Sequence, residues 1–407
     1  MQIKFLLFLS ALFNLQIHAQ DGIVVSQGAS YQNQVWYSLR NGVVTSSPKN
    51  NWDIAFQTTN RGSSIHINSA SGVKLWAHPT AKISDWATLD TTGLSEWTEL
   101  NNSSTSWDRG AFTNAAVQGN SFDVGWGLYS MITHHVNGNR IFIIQTKTGK
   151  YKKFYVESLI NRVYKFHVSD INHENLVSGE LNKNDYDKNF MYYDIDNAKW
   201  ENREPNSNTW DITFTQYIEN IPSPYLVTGI LLNEGVTAAK VTTKQIEDFA
   251  AWDTLTFSAN INIVGHDWKA FNMNLFRFTV SDSTLFVLKT ANDDVFKINF
   301  TAFSGQSLGN YTFNKELLVA LNASNISFEN VKVYPNPSTN GVVFVDGLNT
   351  NNGSIHCAIY NLQGGIVAQE NTQSTPLQLN LQHLNKGMYI LQINQNNQIY
   401  TQKLIIQ

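Results

Sequence analysis

The sequence predicts an all-β protein built from repeated β domains. Arg140 to Gln145 leads through a turn-like TKTGK into Tyr151 to Ser158, and Thr284 to Thr290 leads in the same way into Val295 to Phe300. Runs rich in Ile, Val, Phe and Tyr that are bounded by Gly, Asn and Asp are typical of β-hairpins. Amphipathic helical patterns are few, and Lys244 to Trp252 is one short candidate.

The N-terminus has the parts of a secretory signal peptide. Lys4 supplies a positive charge, Phe5 to Phe13 is a short apolar stretch, and Ala19 is a small residue suited to cleavage. The apolar stretch is shorter than the roughly 20 residues that span a bilayer. We therefore expect residues 1–19 to be removed on export and the mature protein to have no transmembrane segment.

Composition narrows the function classes further. The net charge is −4 with both signs spread along the chain, which argues against a nucleic-acid partner because such proteins usually carry a basic face. Cys357 is the only cysteine, so no internal disulfide and no lipoprotein-type cysteine at the cleavage point is expected. The core must come from apolar side chains, and aromatic residues make up 12% of the chain.

An internal repeat follows the signal peptide. The sequence NWDIAF at residues 51–56 recurs as TWDITF at residues 209–214, and a strand with paired aromatics precedes each: Trp36-Tyr37 and Tyr192-Tyr193. Shared landmarks in one order predict two copies of one β domain. We place the copies at residues 20–175 and 176–321, a normal domain size.

The last part of the chain reads as a separate small domain. A polar linker at residues 322–330 leads into residues 331–407, where Val333 to Pro337 reads VYPNP and short alternating strands follow. Proline at two positions forces an extended start. The pattern predicts an immunoglobulin-like β-sandwich of about seven strands.

Four motifs in residues 331–407 resemble the type A C-terminal sorting domain of the type IX secretion system. They are VYPNP, IYNLQGGIV (359–367), LNKGMYILQI (384–393) and KLIIQ (403–407). The resemblance implies recognition by the outer-membrane translocon, usual removal of the domain, and delivery to the cell surface or medium. The secretion signal would comprise Lys386, Gly387, Met388, Tyr389 and the terminal strand with Lys403. The alternative is a plain adhesive sandwich.

The two-copy region resembles the HmuY family of haem-binding surface proteins. The resemblance rests on WDIAF and WDITF, on YLVTGILLNEGV (225–236), on Gly265 to Lys269 and on the long hairpins. It implies two tandem HmuY-like domains with an all-β fold that presents two axial ligands to a haem iron.

Methionine recurs at one position in the two copies. The spacing from Trp126 to Met131 is the same as the spacing from Trp268 to Met273. The chain holds only five methionines, so this match is notable. Haem iron accepts thioether and imidazole ligands. Met131 and Met273 are therefore the predicted haem ligands, with Trp126 and Trp268 beside them, although filling gaps in the core is the usual role of methionine.

The second axial ligand is not evident from the sequence. His66 and His78 lie between WDIAF and Trp126 in copy one, whereas the matching segment of copy two has only His266. His134 and His135 are adjacent, so in a strand only one could face a given site. The turn-like sequence around them favours a solvated loop.

Enzyme motifs are weak. Gly305 to Gly309 fits G-x-S-x-G, but strand-like sequence follows where a nucleophile elbow requires a helix. Four aspartates at residues 185–196 do not follow a calcium-loop spacing. We expect a secreted, non-enzymatic surface protein that captures haem or a porphyrin. The alternatives are a glycan- or protein-binding module without haem and a surface hydrolase whose carboxylate pair leaves no spacing signal.

Overall fold

The computed structural model confirms the all-β prediction and divides the chain into two compact units, residues 1–319 and 320–407. The signal peptide at residues 1–19 and the linker at 322–330 lie outside the described residues. The structure describes residues 22–319, 331–348, 355–362, 364–372, 376–395 and 398–407.

The first half of the N-terminal unit supplies twelve strands among the described residues. In chain order they are β1 (Ile23–Ser26), β2 (Asn33–Ser38), β3 (Gly42–Pro48), β4 (Ile54–Gln57), β5 (Ile65–Ile67), β6 (Lys74–Ala77), β7 (Glu99–Leu100), β8 (Gly127–Tyr129), β9 (Val136–Gly138), β10 (Phe142–Gln145), β11 (Tyr151–Ile160) and β12 (Val163–Asp170).

The second half repeats this order with eleven described strands. They are β13 (Val177–Asn182), β14 (Phe190–Asp194), β15 (Lys199–Glu201), β16 (Ile212–Asn220), β17 (Pro224–Leu232), β18 (Thr237–Thr242), β19 (Lys269–Asn272), β20 (Arg277–Val280), β21 (Thr284–Lys289), β22 (Val295–Phe303) and β23 (Asn310–Val319). Short 3-10 helices lie at Ala29–Tyr31, Ser69–Ser71, Ile83–Thr88, Leu94–Glu96, Thr113–Ala115, Lys183–Asp185, Ser207–Thr209, Trp252–Thr254 and Gly305–Ser307.

The two halves exchange their first strands. One large sheet has the order β13-β12-β11-β10-β6-β7, and its counterpart has the order β1-β23-β22-β21-β18. The smaller sheets follow the same rule, as β15-β14-β4-β5 and β17-β16-β2-β3. Lobe one therefore consists of β4–β15, and lobe two consists of β1–β3 with β16–β23.

In lobe one, the strand taken from the second half is fixed by Asp53. Tyr193 pairs with Ile54, and the Asp53 amide donates to the Tyr193 carbonyl at 2.9 Å. The Asp53 carboxylate then accepts from the Ile195 amide at 2.8 Å. Asp53 is fully buried, so its acceptors must be satisfied inside the protein.

In lobe two, Asp211 makes the equivalent contacts with the strand taken from the first half. Tyr37 pairs with Ile212, and the Asp211 amide donates to the Tyr37 carbonyl at 2.9 Å. The Asp211 carboxylate accepts from the Leu39 amide at 2.6 Å. Because both exchanges use the same backbone register, the two halves are structural repeats that interlock reciprocally.

The hydrophobic cores follow the lobes and not the chain order. The main core of lobe one draws its buried side chains from residues 54–195, whereas that of lobe two draws them from residues 25–39 and 212–313. Each fully buried large apolar side chain stabilises the fold by about 1.5–3 kcal/mol. The division of the chain at residues 175/176 stays a prediction, and strand pairing joins β13–β15 to the lobe that precedes this boundary.

The helix predicted over Lys244 to Trp252 is wrong. Only a short 3-10 helix at Trp252–Thr254 forms there. Ile246, Phe249 and Trp252 instead pack against Leu285 and its buried neighbours on the sheet of lobe two. Burial of these side chains thus overrides the local helical pattern.

The C-terminal unit forms two antiparallel sheets that share one core. Residues on both sheets, among them Val343, Leu379, Cys357 and Leu391, are buried in a single cluster. The sheet orders are β24-β25-β28 and β27-β26-β29-β30. The described strands are β24 (Lys332–Tyr334), β25 (Val342–Asp346), β26 (Ile355–Tyr360), β27 (Ile366–Thr372), β28 (Leu377–Asn380), β29 (Gly387–Gln395) and β30 (Gln398–Ile406).

Sorting-domain motifs that are distant in sequence meet in this unit. The Asn336 side chain donates to the Lys403 carbonyl at 2.6 Å and accepts from the Ile405 amide at 3.0 Å. Gly387 starts β29 opposite the end of β30, and the Tyr389 hydroxyl donates to the Asn385 carbonyl at 2.8 Å. The role of Lys386, Met388 and these neighbours in translocon recognition stays a prediction.

The strand exchange predicts which fragments fold. Residues 50–202 contain β4–β15 and every buried member of the lobe-one core, so this fragment should unfold cooperatively in urea. Residues 20–175 follow the repeat boundary but lack β14, which leaves the edge of β4 unpaired, so this fragment should be unfolded or aggregated. Circular dichroism during urea titration checks both, and cooperative unfolding of the 20–175 fragment would contradict the exchange.

Candidate functional site

Met131 lies at the tip of a hairpin in the first repeat. Strands β8 and β9 form this hairpin, and Met131 and Ile132 at its tip are 66% and 93% exposed. Trp126 precedes β8 and is fully buried, with its Nε1 donating to the Ser63 carbonyl at 2.8 Å. The tryptophan therefore anchors the base of the hairpin in the core while the methionine faces solvent.

Met273 has the same position in the second repeat. It lies at the tip of the hairpin β19–β20 and is 70% exposed, next to Phe276 at 80%. Trp268 is buried at the base and stacks on Phe300 with ring centroids 3.9 Å apart. Neither methionine therefore fills a gap in the core, which is the usual role of this residue.

The hairpin tips carry side chains that are suited to binding haem. Thioether sulfur is an accepted axial ligand of haem iron, and exposure leaves both methionine sulfurs accessible. On the first hairpin, His134 contacts the Tyr129 hydroxyl through Nδ1 at 2.7 Å, and His135 follows it. On the second, aromatic side chains and Arg277 line an open groove that could receive a planar ring with carboxylates. The aromatic lining is Tyr31, Phe271, Phe276, Phe278 and Phe303.

The other histidines considered as ligands have different roles. His78 uses both ring nitrogens, since Nδ1 accepts from the Ala81 amide at 2.8 Å and Nε2 donates to the Asp90 carbonyl at 3.0 Å. His66 is buried, and its Nε2 donates to the Trp107 carbonyl at 2.7 Å. Burial lowers the pKa of His66 to about 4, so its imidazole is neutral at physiological pH.

A second concave site lies between the lobes. This central cleft is lined by residues of both repeats and is partly open to solvent. The exchanged strands build it, because they bring Trp36 beside β16 and Tyr192 beside β4. Its aromatic lining is Trp36, Trp52, Trp107, Phe190, Tyr192, Trp210 and Tyr217.

Arg203 is held behind the aromatic wall of the cleft. Its guanidinium lies 5.0 Å from the ring centroids of Trp36 and Tyr192, a cation–π arrangement. It also donates to the Gln34 side chain at 2.7 Å and to the Pro48 carbonyl at 2.9 Å. Arg203 thereby joins the segment that follows β15 in one lobe to β2 and β3 of the other.

Glu204 places a buried carboxyl at the cleft. It accepts from the Tyr192 hydroxyl at 2.5 Å and from the Asn189 amide at 3.0 Å. Burial raises the pKa of Glu204 to about 7 despite these hydrogen bonds and the neighbouring Arg203. This site is not evident from the sequence. The one sequence feature that points to the cleft is the pair of aromatic residues before each WD motif, since Trp36 and Tyr192 belong to those pairs.

Ser307 of the G-x-S-x-G sequence and two of the four aspartates contact other protein groups. Ser307 lies in a 3-10 helix and donates to the Ser304 carbonyl at 2.9 Å. Asp194 and Asp196 form ion pairs with Lys147 and Lys150. The described part of the chain holds no group of three or more His, Cys, Asp or Glu arranged to bind a metal ion.

Comparisons with known proteins identify two parts of the chain. Residues 30–169 match the family model described as HmuY protein, and residues 332–407 match the model described as secretion system C-terminal sorting domain. The latter domain indicates secretion through the type IX system to the cell surface. Among the described residues, no helix is long and apolar enough to cross a membrane.

Other similarities are weak. A search of curated proteins gives no match. Among solved structures, the BSP domain of a biofilm associated protein is similar at 9% identity, with 89% of this chain and 77% of that chain covered. Its TM-score of 0.19 gives no support to a shared fold.

The raised pKa of Glu204 predicts a pH-dependent stability. The folded state holds a proton on Glu204 up to about pH 7, whereas the unfolded state releases it near 4.5. The contribution of this group to stability is therefore present below the unfolded pKa and is lost as the pH rises to about 7. Between pH 5 and pH 8 the wild type should lose on the order of 1–3 kcal/mol of unfolding free energy relative to Glu204→Gln.

Urea unfolding of both proteins at the two pH values measures this difference. Glu201→Gln serves as the control, because Glu201 is a nearby, partly exposed carboxylate. A Glu204→Gln variant whose pH dependence equals that of the wild type would show that Glu204 titrates normally.

Proposed function

We propose that this surface protein captures haem or a related porphyrin and that each repeat is an HmuY-like domain. The proposal rests on one observation: equivalent hairpins each expose a methionine, Met131 and Met273. The match of residues 30–169 to the HmuY model supports it for the first repeat. For the second repeat, support comes from the reciprocal strand exchange and the shared strand order.

The hairpin architecture suits capture of a flat apolar ligand. Each buried tryptophan fixes the base of its hairpin, so the tip presents a thioether without losing much conformational freedom on binding. Apolar side chains that face water at the tips, such as Ile132 and Phe276, gain stabilisation when a porphyrin ring covers them. Arg277 beside the second tip can pair with a porphyrin carboxylate.

A haemin titration of the mature chain tests the proposal. We expect a saturable, sharpened Soret band, because thioether or imidazole coordination replaces water on the iron. Met131→Ala, Met273→Ala or both should weaken binding by at least about tenfold, the effect of losing roughly 1.4 kcal/mol.

Matched controls keep the hairpins intact. Ile132→Ala and Leu275→Ala each remove an exposed apolar side chain from the same tips while retaining the methionine. The methionine variants should weaken binding more than their controls. A spectrum equal to that of free haemin, or equal losses in variants and controls, would refute coordination by these methionines.

A further inference from the structure

The central cleft has features of a ligand site that haem capture at the hairpins does not use. Side chains of its walls are held by contacts within the protein: Trp52 and Tyr192 meet edge to face at 4.9 Å between centroids, and Trp107 Nε1 donates to the Leu232 carbonyl at 2.8 Å. A pre-formed aromatic cleft with a few polar groups is the usual form of a small-molecule site.

Two residues of the cleft lining each carry a buried polar atom without a protein partner. Trp210 and Ser69 both line the cleft, and neither Trp210 Nε1 nor Ser69 Oγ has a hydrogen-bond partner in the described structure, although both atoms are buried. Trp210 itself is only 4% exposed. A buried donor without an acceptor costs about 1–3 kcal/mol, so a ligand oxygen that accepts from Trp210 would recover that free energy.

The charge of the cleft favours a neutral ligand. Among the described lining residues, Lys49 carries a basic side chain and Glu204 an acidic one. Lys49 already donates to the Gln216 side chain at 2.5 Å, and Glu204 already accepts from Tyr192 and Asn189. The remaining polar lining consists mainly of amides and hydroxyls, which can both donate and accept hydrogen bonds.

We propose that the central cleft binds a neutral sugar ring. The C–H face of a hexose carries a weak positive charge and packs on the negative faces of aromatic rings. Its hydroxyls can accept from Trp210 Nε1 and also hydrogen-bond with Ser69 Oγ. The ring is either a free sugar or the end of a neutral glycan chain, since both present the same chemistry.

Saturation-transfer NMR of the mature chain tests this site. The probes are methyl glycosides of glucose, galactose and mannose, each followed by a neutral oligosaccharide of the same sugar. At least one glycoside should receive saturation on one ring face. Tighter binding of the oligosaccharide identifies a glycan chain end, and equal binding identifies a free sugar.

Trp210→Phe keeps an aromatic ring and removes the unpartnered donor. It should weaken binding by roughly 3- to 10-fold, the loss expected for one neutral hydrogen bond. Trp252→Phe is the matched control, because Trp252 packs on another sheet face outside the cleft. Met131→Ala should leave sugar binding unchanged, which separates this site from haem capture. No saturation transfer to any probe, or equal affinities of the two tryptophan variants, would overturn the proposal.

Discussion

The N-terminal unit depends on the reciprocal exchange of strands between its two repeats. Asp53 and Asp211 stabilise this exchange, since the carboxylate of each accepts a hydrogen bond from a backbone amide next to a strand that comes from the other repeat. Ion pairs add geometric specificity: Lys147 reaches both Asp53 and Asp194, and Arg40 pairs with Asp294 at 2.5 Å. The pairs of Lys147 are buried, and a buried pair contributes little net stability but disfavours other arrangements, because breaking it leaves an uncompensated charge.

This exchange separates the two candidate sites physically. The hairpins with Met131 and Met273 each belong to one lobe and present their tips to solvent. The central cleft exists only where the lobes interlock, because Trp36 and Tyr192 lie on exchanged strands. A change in the cleft therefore acts through the contact between lobes, whereas a change at a hairpin tip leaves both cores intact.

Export without an internal disulfide is consistent with this design, since Cys357 is the only cysteine and the interlocked lobes rest on apolar cores.

The strand content and the sorting domain could be predicted from the sequence because both depend on local patterns. Met131 and Met273 each lie at the tip of a hairpin, and their role as haem ligands stays a prediction. The exchange could not be predicted, since the repeat of Trp36-Tyr37 and Tyr192-Tyr193 is the same whether a strand pairs within its own repeat or across. Arg203 and Glu204 were missed for the same reason, because their partners are assembled by the fold. The segment at Lys244 to Trp252 shows the opposite case, in which burial on a sheet overrides a local helical pattern.

Hydrogen exchange followed by mass spectrometry, applied to Asp211→Ala and Asp53→Ala, tests the exchange most directly. Asp211→Ala should speed amide exchange in residues 22–48 together with residues 212–319, because it releases the Leu39 amide. Asp53→Ala should instead speed exchange in β4–β15, through release of the Ile195 amide. If residues 22–48 respond to Asp53→Ala and not to Asp211→Ala, each repeat forms its sheets from its own strands and the interlocked account is wrong.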